Sequence, residues 1–171
     1  LRHRGPDDEG REHDPSAVLG HRRLSIIDLG GGHQPLTNAD RSLWLVCNGE
    51  IYNHNALRAG LEAGGYVFRT RSDCEVILAL YERYGDRCVE HLRGMFAFGL
   101  WDARRRRLLA ARDHLGQKPF YYAQTLRGFA FASEIKALLA FDPSLRQLDL
   151  EALEQYFALR LIAPPRSMFR G

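Results

Sequence analysis

Cysteine is scarce in this chain. Three occur in 171 residues, Cys47, Cys74 and Cys88, an odd number at wide spacing and with no C-x-x-C pair. That excludes a disulfide framework and a cysteine zinc site, leaves no metal-ligand set, and points to a reducing, cytoplasmic setting. Long hydrophobic runs are missing too. No stretch reaches the about 18 apolar residues of a membrane span, and no signal peptide opens the chain, so no membrane partner is expected. Charge of one sign is not in excess: 24 Lys and Arg face 21 Asp and Glu, for a net charge of +3. The densest basic run, Arg104 to Arg107, has no interleaved aromatic residues. It reads as a solvated hairpin turn, and a nucleic-acid partner is not expected. There is no internal repeat and no low-complexity linker. What remains is ordinary globular material, 45% hydrophobic and 26% charged, enough for one domain with a core.

Patterning along the chain predicts an α+β fold with mostly antiparallel sheet. Leu1 to Pro15 reads as loop, and Ala17 to Asp28 as one or two strands, before Gly30 to Gly32 break the chain. Leu43 to Cys47 reads as a buried strand ending in a tight turn at Asn48-Gly49. Asn55 to Gly64 is helix-like, and Tyr66 to Arg69 a short strand. Ser72-Asp-Cys-Glu75 has capping-box spacing ahead of the apolar Val76 to Tyr81, which predicts a helix ended by Gly85. A second short helix follows over 86–92. Met95 to Trp101, Leu108 to Arg112, Phe120 to Ala123 and Phe129 to Ala132 read as adjacent antiparallel strands. Glu134 to Ala140 and Asp149 to Leu159 return to helix.

Several short segments carry chemistry. Within Arg22-Arg-Leu-Ser-Ile-Ile-Asp28 an arginine in an apolar strand needs a carboxylate partner, which could be a structural Asp or Glu or a ligand. Asn48-Gly-Glu-Ile-Tyr-Asn53 reads first as a turn. On spacing alone the turn is favoured; the functional reading is an oxyanion hole, since an Asn amide and the next backbone N–H can converge on one oxygen, and glycine admits a substrate close to the backbone. Asp73, at a helix start, could cap the helix or bind an ammonium group. Arg2-His-Arg-Gly-Pro-Asp7 reads as a fixed polar loop, Arg112-Asp-His-Leu-Gly-Gln-Lys-Pro119 as a structural loop, and Ala132-Ser-Glu-Ile-Lys-Ala137 as strand end to helix start.

Taken in order, R-H-R-G-P-D, R-L-S-I-I-D, N-G-E-I-Y-N, S-D-C-E-V-I, R-D-x-x-G-x-K-P, S-E-I-K-A-L and A-P-P-R at Ala163 to Arg166 resemble the class II glutamine amidotransferases, and within them the asparagine synthetases. The resemblance covers essentially the whole chain. It implies an N-terminal-nucleophile hydrolase fold, a four-layer αββα sandwich of two antiparallel sheets, incomplete here at the N-terminus. It implies a glutaminase domain over 1–160, lacking its first strand and nucleophile, and over 161–171 the start of the connection to a missing ATP-dependent synthetase domain. The implied activity is hydrolysis of glutamine to glutamate and ammonia, used to amidate aspartate, so the parent is an asparagine synthase (glutamine-hydrolysing), a ligase. Arg23 would hold the α-carboxylate of glutamine, with Leu24 and Ile27 beside it. Asp73 would hold the α-ammonium, with Glu50 near it, and Asn48 and the Gly49 N–H would form the oxyanion hole. The family's cysteine nucleophile stands at the mature N-terminus, and Cys47, Cys74 and Cys88 do not match it. No cofactor is expected in this domain; ATP and magnesium belong to the synthetase domain. Gly30 to Gly32 have no Ser, Thr or Lys around them to hold phosphate. Expected partners are glutamine and the chain's own C-terminal synthetase domain, and a homodimer is compatible with it. Two alternatives stay open: another class II amidotransferase, and a non-catalytic glutamine-binding or scaffold domain.

Overall fold

The computed structural model describes residues 1–24 and 32–170. They form two compact units, Leu1–Lys118 and Pro119–Gly171; nothing in the sequence pattern marks that division. Every strand pairing among the described residues is antiparallel, as the α+β reading expects. Among the described residues the strands group into hydrogen-bonded sets of two, four and two.

In the first unit, β1 (Asp8–His13) and β2 (Val18–Arg23) make a hairpin. β1 lies within the segment read as loop. The reason is its composition: DEGREH has no apolar alternation. The hairpin is held across the strands by polar groups, with Glu9 opposite Arg22 and ion-paired to it. The larger sheet has the order β3 (Leu36–Thr37), β4 (Leu43–Ile51), β5 (Gly94–Asp102) and β6 (Arg107–Arg112). Between β4 and β5 the chain forms α1 (His54–Ala63), α2 (Glu75–Tyr84) and a 3-10 helix over Gly85–His91. Residues Val76 to Tyr81 of α2 are all buried and share one core with Leu45, Cys47, Phe96, Phe98 and Leu100 of the sheet. Burying such side chains is worth about 1.5–3 kcal/mol each, which makes this helix and sheet the stable centre of the unit.

The basic run forms the β5–β6 turn and is solvated, as expected. Arg104 pairs with Asp40, Arg105 with Asp102 and Arg107 with Asp86, while Arg106 donates to Ser16. Tyr66 to Arg69 is not a strand. Tyr66 and Phe68 pack edge to face at 4.7 Å, with the Arg58 guanidinium 3.8 Å from the Phe68 ring centre, so side chains and not a ladder hold the segment.

In the second unit, β7 (Tyr121–Thr125) and β8 (Gly128–Ala132) form a hairpin, followed by α3 (Ile135–Phe141), a 3-10 turn and α4 (Leu150–Leu159). Asp149 caps α4 by accepting from the N–H groups of Glu151 and Ala152.

The expected turn at Asn48-Gly49 is absent, because β4 runs through both residues to Ile51 in continuous register with β5. Gly49 sits at φ 152°, and a Cβ there would lie 2.0 Å from the Met95 carbonyl oxygen. The neighbouring strand thus forbids any side chain at this position. Gly49→Ala should therefore destabilise the unit by about 3 kcal/mol, since the clash is with backbone and not with a side chain that can swing away. Denaturant unfolding of the two proteins checks this; equal midpoints would show that the strands part without cost.

Candidate functional site

The exposed edge of β4 organises the site. β4 has β5 along its whole length on one side, but β3 covers only Trp44 and Leu45 on the other. In an antiparallel ladder, successive residues point their N–H and C=O groups to alternate sides. Cys47 points its pair toward the β3 side, where the side chain of Gln34 meets both: Gln34 Oε1 accepts from the Cys47 N–H at 2.7 Å and Gln34 Nε2 donates to the Cys47 carbonyl at 3.0 Å. Ile51 points its N–H to the same side and donates to Asp73 Oδ2 at 2.7 Å. By the same alternation the N–H of Gly49 emerges on this edge between Gln34 and Asp73, and no side chain of the described residues accepts it. Asn48 precedes it, half-buried, its side chain on the face away from the α2 core that Cys47 enters. Glu50 shares that face with Asn48.

Asp73 is 5% exposed and precedes α2. It does not cap the helix: its recorded backbone partner is the Ile51 N–H across the unit. The expected capping box does not form either. Ser72 Oγ accepts from the Cys74 N–H, while Glu75, nearly fully buried, accepts instead from the N–H groups of Arg69 and Thr70 and from the Thr70 hydroxyl. The loop before the helix has claimed the carboxylate the box would need. The structure therefore brings Asn48, Gly49, Glu50 and Asp73 together at one end of β4.

Arg23 ends β2 opposite Asp8. Its strand neighbour Arg22 is held by Glu9 and the Gly5 carbonyl. Arg23 lies instead against Gly32, where a Cβ would sit 2.4 Å from its guanidinium. Asp8 accepts from His33 at 2.7 Å, and this bond, with the positive charge of Arg23 contributing less, holds its carboxyl below the usual range. Leu24 is exposed and makes no described contact with the group at β4. Ile27 lies outside the described residues.

None of the three cysteines is placed as a nucleophile. All are buried and free. The Cys74 thiol is pushed well above its ordinary range, first by its hydrogen bond with Cys47 and then by burial. Burial pushes Cys88 up to about 12. The R-D-x-x-G-x-K-P loop is structural as expected: Asp113 accepts from the N–H groups of Phe96, Leu115, Gln117 and Lys118. Among the described residues no cluster of three or more His, Cys, Asp or Glu side chains could hold a metal ion, and no helix is long and apolar enough to cross a membrane.

Sequence reasoning missed His21 and Gln34. Neither has a motif signature, and only the fold brings them to Cys47. Burial depresses His21 to about 4, against hydrogen bonding to the Cys47 backbone, with the charge of Arg23 depressing it further, and its Nδ1 has no partner. Above about pH 6.5 the ring is neutral in both folded and unfolded chains and contributes no pH dependence. Between about 6.5 and 4 the unfolded chain binds the proton and the folded chain does not, so stability falls as pH falls, by at most about 3 kcal/mol. Thermal melts from pH 7 to 4.5 should show this loss, and His21→Gln should flatten it. An unchanged slope in the variant would assign the acid sensitivity to other groups.

Comparison with known proteins agrees with the geometry. A family profile described as a glutamine amidotransferase domain matches residues 1–171. The chain is 45% identical over 166 residues to asparagine synthetase [glutamine-hydrolyzing] 1 of Bacillus subtilis (strain 168), covering 97% of this chain and 26% of that protein. It is 50% identical over 149 residues to asparagine synthetase B [glutamine-hydrolyzing] of Escherichia coli (strain K12), covering 86% and 26%. It thus spans about a quarter of the length of these curated relatives. Among solved structures it is similar to glutamine phosphoribosylpyrophosphate amidotransferase from B. subtilis in complex with ADP and GMP, with a TM-score of 0.61 and 26% identity over 71% of this chain and 28% of that one. The α+β architecture is accordingly of the N-terminal-nucleophile hydrolase type, and the chain belongs to the glutamine amidotransferase domain family.

Proposed function

We propose that this chain is the glutamine-binding part of a glutamine-dependent asparagine synthetase. The carrying observation is the β4 edge between Cys47 and Ile51, whose N–H groups are taken by Gln34 and Asp73, with the Gly49 N–H beside Asn48 between them and no side chain of the described residues accepting it. In this reading Arg23 pairs with the α-carboxylate of glutamine, where the fork of a guanidinium matches the two oxygens. Leu24 and Ile27 border that end. Asp73 keeps one oxygen on Ile51 and turns its charge to the α-ammonium, with Glu50 adding to the field. A cysteine outside residues 1–171 attacks the side-chain amide, and the developing oxyanion is held by the Asn48 amide and the Gly49 N–H. Collapse releases ammonia and leaves a glutamyl thioester for water. Ammonia then serves a separate synthetase domain, which uses ATP and magnesium to amidate aspartate. Residues 1–160 are the glutaminase domain, and 161–171 begin the connection. The free, buried thiols support a reducing, cytoplasmic setting.

Two substitutions in the full-length protein test the roles. Asn48→Ala removes an oxyanion donor, so glutamine-dependent kcat should fall by about 10² to 10³, with little change in KM and with ammonia-driven synthesis intact. Equal loss of both activities, with a lower Tm, would return Asn48 to a purely structural role. Asp73→Asn keeps an oxygen for Ile51 but loses the charge. KM for glutamine should then rise steeply, in line with about 2–5 kcal/mol for unpairing a desolvated charge, while ammonia use is unaffected. A KM within a few-fold of the original would leave Asp73 with its Ile51 bond alone.

A further inference from the structure

Gln34 stands out among the buried polar groups because its side chain does the work of a backbone. The β3–β4 ladder pairs Thr37 with Trp44 and Leu36 with Leu45. Carried one repeat further, the register would set position 34 opposite Cys47. Position 35, where Pro35 stands, would face Val46, whose own N–H and C=O turn toward β5, so Pro35 removes nothing from this ladder. At position 34 the Gln34 carboxamide, one acceptor and one donor, forms the same reciprocal pair with Cys47 that a strand residue would, at 2.7 and 3.0 Å. The side chain is buried, with the residue 7% exposed. Its backbone is held against β1, where the missing Cβ of Gly10 makes room for the Gln34 carbonyl.

We infer that Gln34 is a positioning residue for the oxyanion donors, an inference that rests on the glutaminase reading of this site. A true strand continuing past position 34 would cover the edge and pair with Gly49. A side chain that satisfies Cys47 and stops leaves the Gly49 N–H with no acceptor among the described side chains, while anchoring the residue two places before it. Asp73 anchors Ile51 two places after. The open N–H is thereby held from both sides in a strand that cannot slide or twist. Asn48 shares a peptide unit with the clamped Cys47 carbonyl, so the orientation of that carbonyl sets the start of the Asn48 residue. Oxyanion donors act only when aimed at about 2.7–3.1 Å, and a displacement near 1 Å costs about a hundredfold. Gln34 touches no substrate and acts through Cys47.

The test compares Gln34→Leu and Gln34→Glu in the full-length protein, with Asn48→Ala measured alongside. In Gln34→Leu, glutamine-dependent kcat should fall about tenfold to a hundredfold, KM for glutamine should stay within about threefold, and ammonia-driven synthesis should be unchanged. In Gln34→Glu the carboxylate still accepts from the Cys47 N–H but repels the Cys47 carbonyl. Burial raises the pKa of the new carboxyl, so lowering the pH from 8 to 6 should protonate it and restore the donor. Its kcat relative to the unsubstituted enzyme should rise across that range, while that of the Leu variant stays flat. His21, the other titratable group at Cys47, is neutral throughout that window with its pKa near 4. If Asn48→Ala cripples glutamine use and the Gln34 variants do not, the inference about Gln34 fails alone. If Asn48→Ala has no effect, the glutaminase site reading itself fails. A parallel fall of both activities in Gln34→Leu, with no pH recovery in Gln34→Glu, would make Gln34 a structural residue only. Should the Leu variant not fold, the pH response of the Glu variant still decides.

Discussion

A β-strand with a neighbour along only part of one edge must settle its remaining N–H and C=O groups by other means, since unpaired buried backbone groups cost about 1–3 kcal/mol each. β4 meets that constraint in the middle of the first unit. β3 supplies two residues of ladder and ends. The rest of the edge is completed by side chains drawn from distant places in the chain, Gln34 from ahead of β3 and Asp73 from ahead of α2. Each brings its own loop to the strand, and the position they leave between them is the only kind of place where a strand N–H can face a ligand. The site is a gap in a sheet edge, bounded by the groups that stabilise the rest of it.

The same economy governs the buried carboxylates. Asp73 and Glu75 flank a cysteine at the head of a helix whose first seven residues are buried, and burying two acids there is costly unless each is given donors. Glu75 receives two backbone N–H groups and a hydroxyl from residues 69 and 70, and that shapes the loop into α2. Asp73 accepts from the Ile51 N–H of β4. The two acids thus serve different places: Glu75 shapes the loop into α2, and Asp73 ties the head of the helix to the strand edge. Arg22 is held by Glu9 and the Gly5 carbonyl, while the guanidinium of Arg23 lies against Gly32, where a side chain would collide with it.

This division explains what could be read from the residues and what could not. α1, α2 and α4, and the strands β5 to β8, were legible because their apolar patterning is decided locally by burial. β1 was not, because its hairpin is polar and held by an ion pair whose two members lie on separate strands. Asn48-Gly49 misled in an instructive way. The dipeptide is a turn signal when a chain is free to reverse, but here β5 pairs on through both residues, and the glycine is required by the Met95 carbonyl and not by a bend. Ser72 and Glu75 had capping-box spacing, yet tertiary demand for the glutamate overrode it. The roles of Asn48, Gly49, Asp73 and Arg23 came from resemblance, and the fold places the first three together on independent grounds. Gln34 and His21 were invisible in the sequence because a side chain that imitates a backbone partner leaves no periodic trace.

The inert cysteines complete the argument. Cys47 and Cys74 each adjoin a residue of the candidate site, Asn48 and Asp73, and both are buried in the core. The Cys74 thiol cannot attack a ligand, because the thiolate is the reactive form and contact with Cys47, then burial, disfavours it. What it can do is fill space tightly between strand and helix, so that the two polar residues beside it emerge at a fixed separation. In the proposed site the distance between the oxyanion donors and the carboxylate assigned to the ammonium group is then set by core packing, the least compliant part of the molecule. A site so built tolerates little variation in the length of its ligand between those two groups. Selectivity for one amino-acid side-chain length would thus follow from the hydrophobic core as much as from the polar residues that touch the ligand.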